Sequence, residues 1–239
     1  IILTATGSTT YAKIGPLGAG ASLTGTAWTT GAYIDGPATA YWQYLGSPVS
    51  GATLADWDND NRFYMSGVGG NDGNACCPIF YSVRTYNTAT NTYSNVTSVS
   101  TTLTPAKGYM VWMGDNMSSL TAPLPYDTKG TPNQGTVTLA VTAGGSGNGY
   151  NLVSNPYACP VTYSSVVTTS GNLHPNFLIL MENGSYATNP NGGTIAPNQG
   201  FMCIALSSGT INFLETAKTT SSSPNIIRTA YPEIYLRIS

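Results

Sequence analysis

The chain has 239 residues, of which only 8% are charged, with 8 Lys and Arg against 10 Asp and Glu and a net charge of −2. This balance excludes a protein that binds nucleic acid through a basic surface, because such binding needs many cations to displace the counterions of the phosphates. No run of about 18 apolar residues is present, so no membrane-spanning helix is expected.

The composition indicates an all-β fold. The chain contains 27 Gly and 15 Pro beside many Thr, Ser and Asn residues, which favour strands and turns over helices. Its 16 Tyr and 4 Trp residues can fill a core, so the chain is expected to fold. Helical periodicity is interrupted throughout by Gly, Pro or Thr clusters, and only Ser164–Thr169 is expected to form a turn of helix. Low charge and many short polar side chains are typical of extracellular proteins.

In chain order, the predicted strands form two similar series. The first series consists of Trp42–Val49, Tyr81–Tyr86, Thr92-Tyr93 and a strand within Leu103–Trp112. The second series consists of Tyr150–Tyr157, Phe177–Met181, Ser185-Tyr186 and a strand within Ile195–Ile204. Further strands are expected at Thr136–Thr142, Thr210–Leu214 and Glu233–Ile238.

Two landmarks recur in the same order in both series. In the first, an aromatic residue, an amide and two apolar residues precede a proline, and the alignment places Gly46 on Ser154. A proline ends such a strand because it cannot donate to the ladder. In the second landmark, Pro-x-x-Gly precedes an apolar run, and Pro105 aligns with Pro197. This spacing predicts a β-turn with Gly at its last position, followed by a buried strand.

The repeat predicts two tandem, related β modules of the sandwich or jelly-roll type. Module 1 is assigned to residues 1–120 and module 2 to residues 121–239. The role of residues 1–40 stays open, since these residues either form their own strands or complete module 1.

The same landmarks resemble the paired β modules of large Bacteroidota cell-surface and secreted proteins that are exported by the type IX secretion system. The resemblance covers roughly residues 40–239, and in that family the second module ends in a Leu-Arg strand, matched here by 235–238. It rests on the segments WQYLGSPVSGATLADW, LTPAKGYMVWM, GYNLVSNPY, IAPNQGFMCIA and TINFLETAKT. It implies an extracellular or outer-surface protein of adhesive or scaffolding type, lying upstream of a C-terminal sorting domain.

An acidic segment is the strongest candidate for a metal site. Asp56, Asp58 and Asp60 alternate in sequence, as the first carboxylate ligands of Ca²⁺ do in the EF-hand loop. Asp72, in the Gly-rich loop of residues 67–73, is the candidate for a further ligand. The alternative is a solvated acidic loop without a metal, so calcium is the one cofactor the sequence suggests.

The four cysteines fit an oxidising compartment. Cys159 and Cys203 follow the two landmarks of the second series and have no cysteine counterparts in the first, so a disulfide between them is expected. The pairing of Cys76 and Cys77 stays open.

No enzyme is expected from the remaining chemistry-bearing residues. The single histidine, His174, lies in a turn-like segment, and no Gly-x-Ser-x-Gly motif accompanies it. A glycosidase needs two close carboxylates, but Glu182, Glu215 and Glu233 lie in or beside predicted strands and turns.

The expected function is therefore a non-catalytic structural or adhesive module pair at the cell surface or in the extracellular space. Its expected partners are other protein chains or cell-surface components, including copies of itself joined through strand edges. The alternative is a carbohydrate-binding module, calcium-dependent if the acidic site binds the ion, in which Trp28, Trp42 and Trp57 stack on sugar rings.

Overall fold

The computed structural model describes residues 1–3, 5–7, 10–34, 38–59, 63–76, 80–120 and 124–220. It confirms the all-β class, since strands dominate and the helices are short. The helices are α1 (Ala55–Asp58), α2 (Tyr163–Ser170) and α3 (Pro190–Gly193), with a 3-10 turn at Glu215–Ala217. None of the helices in the described ranges is long and apolar enough to cross a membrane.

The strands are short, and those of the first part of the chain end at Pro132. They are β1 (Ile2–Leu3), β2 (Ala5–Gly7), β3 (Thr10–Tyr11), β4 (Trp28–Ile34), β5 (Ala38–Thr39), β6 (Tyr41–Leu45), β7 (Val49–Ser50), β8 (Val83–Asn87), β9 (Thr92–Asn95), β10 (Tyr109–Met113), β11 (Ser119–Leu120) and β12 (Leu124–Pro132). Those that follow are β13 (Val137–Val141), β14 (Tyr150–Ser154), β15 (Val161–Thr162), β16 (Leu173–Leu180), β17 (Tyr186–Thr188), β18 (Thr194–Ile195), β19 (Gly200–Ala205) and β20 (Gly209–Phe213).

Most predicted elements have observed counterparts. The expected turn of helix is extended to the two turns of α2, and β13 and β20 lie where strands were predicted. The predicted strand Glu233–Ile238 lies outside the described residues.

Two antiparallel sheets of four strands have the same connectivity. The first sheet has the order β6-β10-β8-β9 and the second sheet has the order β14-β19-β16-β17. In each, the strands taken in chain order are arranged first, fourth, second, third. The two predicted series of strands therefore form sheets with one topology.

The two sheets are stacked, and each has apolar residues on both faces. Strand alternation directs Leu45 and Tyr109 of the first sheet into one core, which they share with Trp57 and with residues of β4 and β12. Phe177 and Phe201 of the second sheet contribute to another core, which is completed by residues of β20 and α2. The remaining faces of the two sheets meet in a middle layer that contains Tyr44, Leu152, Leu180 and Met202.

The outer elements cross the boundary that the sequence suggested at residue 120. β12 pairs with β4 and β7 in a sheet of order β1-β4-β12-β7, so the pairing of the first part of the chain extends to Pro132. Conversely, the N-terminal segment reaches the second part, since the Ile14 N–H donates to the Ala158 carbonyl at 2.8 Å.

Candidate functional site

The two Pro-x-x-Gly landmarks form matching turns. The Lys107 N–H donates to the Thr104 carbonyl at 3.1 Å, and the Gln199 N–H donates to the Ala196 carbonyl at 3.2 Å. Each turn therefore begins one residue before the proline, and the glycine follows the turn instead of ending it. Proline suits the second turn position because its fixed φ matches that position. The third position has φ of 62° in Ala106 and 60° in Asn198, as a type II turn requires.

Each turn binds the proline-terminated strand of the opposite sheet. The Gly46 N–H donates to the Asn198 carbonyl at 2.9 Å, and the Ser154 N–H donates to the Ala106 carbonyl at 2.8 Å. Antiparallel bridges join Leu45 to Gln199 and Lys107 to Val153. The sequence repeat equates Gly46 with Ser154 and Ala106 with Asn198, so the two sets of contacts are reciprocal. This sheet–sheet interface has approximate two-fold symmetry, like an isologous dimer contact within one chain.

Glycine is required where the backbones approach each other. A Cβ atom at Gly200 would lie 2.7 Å from the carbonyl carbon of Tyr44, and a Cβ atom at Gly108 would lie 2.6 Å from the carbonyl oxygen of Val153. Non-bonded carbon atoms usually lie about 3.5–4.0 Å apart, so both distances are far too short for an unstrained contact. The second landmark therefore ends in Gly in both series because of the sheet–sheet interface, not because of the turn.

A chain of tyrosine hydroxyls crosses the middle layer. The Tyr44 hydroxyl, fully buried, lies 2.6 Å from the Tyr93 hydroxyl of the first sheet and 2.8 Å from the Tyr186 hydroxyl of the second sheet. Burial raises the pKa of Tyr44, and the neighbouring hydroxyls raise it further. The Tyr44 hydroxyl therefore stays neutral, and its two hydroxyl contacts tie the sheets together. Sequence reasoning did not identify this cluster, although Tyr93 and Tyr186 occupy matching places in the two series.

The four predicted calcium ligands do not form one site. Residues 55–58 form α1, and side chains two positions apart on a helix face different directions. The Asp56 side chain instead points back to the start of the helix, where its Oδ2 accepts the Thr53 N–H at 2.7 Å. Asp60 lies outside the described residues. Among the residues described, no three His, Cys, Asp or Glu side chains are grouped so as to hold a metal.

Asp58 and Asp72, by contrast, are brought together. Asp58 is 5% exposed, and the charge and the backbone N–H of Asp72 both lie close enough to act on its carboxylate. Burial raises the pKa of Asp58 to about 6, and the charge of Asp72 adds to the shift. Two of the four predicted residues thus remain as a candidate cation site.

The expected disulfide is corrected by the structure, in which Cys159 and Cys203 are free cysteines. The Cys159 thiol donates to the Thr219 carbonyl at 3.4 Å, whereas Cys203 lies within the central strand β19, paired with Asn151 and Phe177. Both are fully buried in the same core, where a thiol packs as a small apolar group. Burial raises the pKa of Cys203 to about 12, so its thiol is unreactive.

Two of the three tryptophans considered for sugar stacking belong to the interior. Trp57 is fully buried and Trp28 is 9% exposed. Trp42 is half-buried, and the Arg84 guanidinium lies 4.7 Å from its ring centroid. Trp42 also meets Trp112 at an angle of 70°, so these rings pack edge to face and do not form a flat platform.

The other titratable candidates make structural contacts. His174 lies near the start of β16 and not in the expected turn, and its Nδ1 accepts the Asn176 N–H at 3.1 Å. Glu215 accepts the backbone N–H groups of Leu17 and Gly135 and pairs with the buried Lys218 at 2.8 Å. Burial opposes ionisation of Glu215, but these hydrogen bonds outweigh it and hold its pKa below the usual range. Glu233 lies outside the described residues.

A shallow cleft lies beside the connection between β12 and β13. It has a volume of about 460 Å³ and is lined by hydroxyl, amide and proline side chains, among them Ser50, Pro105 and Asn133. The Asn133 amide is engaged by Ser50 and by the Pro156 carbonyl, at 2.6 and 2.8 Å. This cleft is therefore held together by its own hydrogen bonds.

Comparison with known proteins gives one match. Residues 41–191 match a family described as Domain of unknown function (DUF8693), and no curated protein or solved structure matches the chain. The matched range begins with β6 and ends within α3, so it contains all of the first sheet and three strands of the second. It includes the turn at Pro105 and both proline-terminated strands of the sheet–sheet interface, but not the turn at Pro197. Because it covers more than half of the 239 residues, the chain belongs to the DUF8693 family.

Proposed function

We propose that the chain is a non-catalytic structural unit in which two related β modules are held in one fixed orientation. The sheet–sheet interface is the observation that carries this proposal. Its reciprocal contacts between Gly46 and Asn198 and between Ser154 and Ala106 are backbone hydrogen bonds, which do not depend on mobile side chains. A rigid spacer or building block of a larger assembly needs such a joint.

The middle layer supports the same role. Tyr44, Leu152, Leu180 and Met202 are each at most 7% exposed, so separating the sheets would expose a continuous apolar surface to water. At about 25 cal/mol per Å² of apolar area, that exposure strongly opposes separation. Force applied to one sheet would therefore be transmitted to the other.

The proposed location is the extracellular space or the outer cell surface, with export by the type IX system as the resemblance implies. Low charge and the many short polar side chains support this location. The proposed partners are neighbouring protein chains. β9 and β17 end the two four-stranded sheets as described, and pairing along such edges is the route by which copies would join.

Single-molecule pulling tests the proposal. The chain, flanked by marker domains of known unfolding force, is expected to unfold as one unit with a single force peak. Gly200→Ala is expected to lower that peak or to split it, whereas the exposed Gly18→Ala is expected to leave it unchanged. Two independent peaks from the unaltered chain would refute the fixed orientation. Saturable binding of a defined glycan, reversed by free sugar, would favour the carbohydrate-binding alternative.

A further inference from the structure

The carboxylate of Asp58 is buried but incompletely bonded. In the described part of the chain, its Oδ1 has less than 1 Å² exposed and no hydrogen-bond partner. A carboxylate that accepts too few hydrogen bonds is costly to bury, and native structures rarely contain one without a bound ion, a water or a functional role. Asp58 therefore calls for a positively charged or hydrogen-bonding ligand.

The Asp58 carboxylate faces the loop that carries Asp72. The charge and the backbone N–H of Asp72 both act on this carboxylate, so the two residues lie near each other. The Asp72 side chain is exposed, and its Oδ1 also accepts the Asn74 N–H at 2.8 Å. One carboxylate thus approaches from the buried end of α1 and a second from a surface loop.

We propose that Asp58 and Asp72 bind one Ca²⁺ ion, which joins α1 to the loop of residues 67–74. The Oδ1 of Asp58, which has no hydrogen-bond partner, would coordinate the ion. The positive charge of the ion would offset the repulsion between the two carboxylates. This proposal does not depend on the proposed structural function.

The chemistry of the site favours Ca²⁺ over other cations. Both ligands are hard carboxylate oxygens, and the exposure of Asp72 leaves one side open to water. Ca²⁺ binds about six to eight oxygen ligands in variable geometry, and these ligands can include waters and backbone carbonyls. Mg²⁺ requires a nearly ideal octahedron, which two carboxylates on separate segments do not impose. Transition metals prefer nitrogen or sulfur ligands.

Terbium luminescence provides the test, because Trp57 precedes Asp58 and can transfer its excitation to a bound Tb³⁺ ion that replaces Ca²⁺. The chelator-treated chain is titrated with Tb³⁺ while tryptophan is excited. Emission is expected to saturate at one ion per chain and to be reversed by Ca²⁺ but not by equal Mg²⁺. Asp58→Asn and Asp72→Asn are each expected to weaken binding at least about tenfold, as loss of one of two charged ligands should.

Glu182→Gln is the matched control, since it removes an acidic residue from the turn after β16 and should bind as the unaltered chain does. Asp72 is exposed and an asparagine oxygen can still accept the Asn74 N–H, so Asp72→Asn is expected to fold as the unaltered chain does. Calorimetry with Ca²⁺ alone is the second measurement, and the unfolding temperature should rise with Ca²⁺ in the unaltered chain and in Glu182→Gln, but not in Asp58→Asn or Asp72→Asn. Absence of saturable emission, or equal affinity in the Asp58→Asn and Glu182→Gln chains, would overturn the proposal.

Discussion

Replacement of Gly200 by alanine should show how closely the two sheets are joined. The added Cβ atom would lie 2.7 Å from both the carbonyl carbon and the Cβ of Tyr44, and 2.9 Å from the Leu45 nitrogen. Two of these three atoms belong to the backbone of a central contact, so they cannot rotate away as the end of a side chain could. The sheets must therefore separate by several tenths of an ångström, or β19 must bend.

The cost follows from the magnitude of overpacking in a close-packed interior. Insertions of this kind typically cost about 1–3 kcal/mol, and the clash with backbone atoms favours the upper end. Alanine also restricts the conformations of the unfolded chain, which favours the folded state by roughly 0.4–1 kcal/mol and offsets part of this cost. The net expectation is a loss of about 2 kcal/mol in the free energy of unfolding. With a urea dependence of about 3 kcal/mol per molar, the unfolding midpoint should fall by more than half a molar.

Urea unfolding, followed by tryptophan fluorescence and by circular dichroism, measures this shift. Gly108→Ala should behave alike, because its Cβ atom would lie 2.6 Å from the Val153 carbonyl oxygen in the symmetry-related contact. Gly18→Ala is the control, since nothing lies within 4 Å of its added Cβ atom. If Gly200→Ala unfolds at the same urea concentration as Gly18→Ala, the close contact between the sheets is wrong.

Three further results are expected. Glu215→Gln should lower the free energy of unfolding by about 2 kcal/mol at pH 7, as loss of hydrogen bonds to a charged group does. Because the folded-state pKa of Glu215 is lowered, this contribution is present above the ordinary carboxyl pKa and disappears as acid protonates the group. In urea titrations at acid pH, the two chains should therefore have the same stability. Alkylation of the unreduced chain should modify Cys159 and Cys203 only after denaturation, and a disulfide-linked peptide in the mass spectrum would contradict the structure. Tyr44→Phe should lower the unfolding free energy by about 1–2 kcal/mol, whereas an unchanged thermal transition would show that its hydroxyl contacts contribute nothing.

For the acidic segment, the sequence predicted some of the residues that come together but not the conformation that decides which ones do. Alternate carboxylates at Asp56 and Asp58 resemble a calcium loop, but residues 55–58 are helical, and the helix turns the two side chains apart. Asp72 was identified from its Gly-rich loop, and it is the residue that meets Asp58. The spacing of residues does not determine a site until the backbone conformation is known.

The cysteines give a similar result at longer range. Their places in the repeat correctly put Cys159 and Cys203 on strands and loops of one part of the chain, and the structure puts both in one core. Membership of a core does not bring two sulfur atoms into bonding distance, which requires a specific separation and direction of the Cβ atoms.

The sequence by itself determined the all-β class, most strand positions and the recurrence of two landmarks, because Pro, Gly and β-branched residues act on the local backbone. Only the tertiary structure decided that each Pro-x-x-Gly turn binds the strand of the opposite sheet and that Tyr44, Tyr93 and Tyr186 share hydrogen bonds. These contacts join residues far apart in the chain, including Gly46 with Asn198. Local preferences carry no information about such partners, which are selected by burial and close packing of the whole chain.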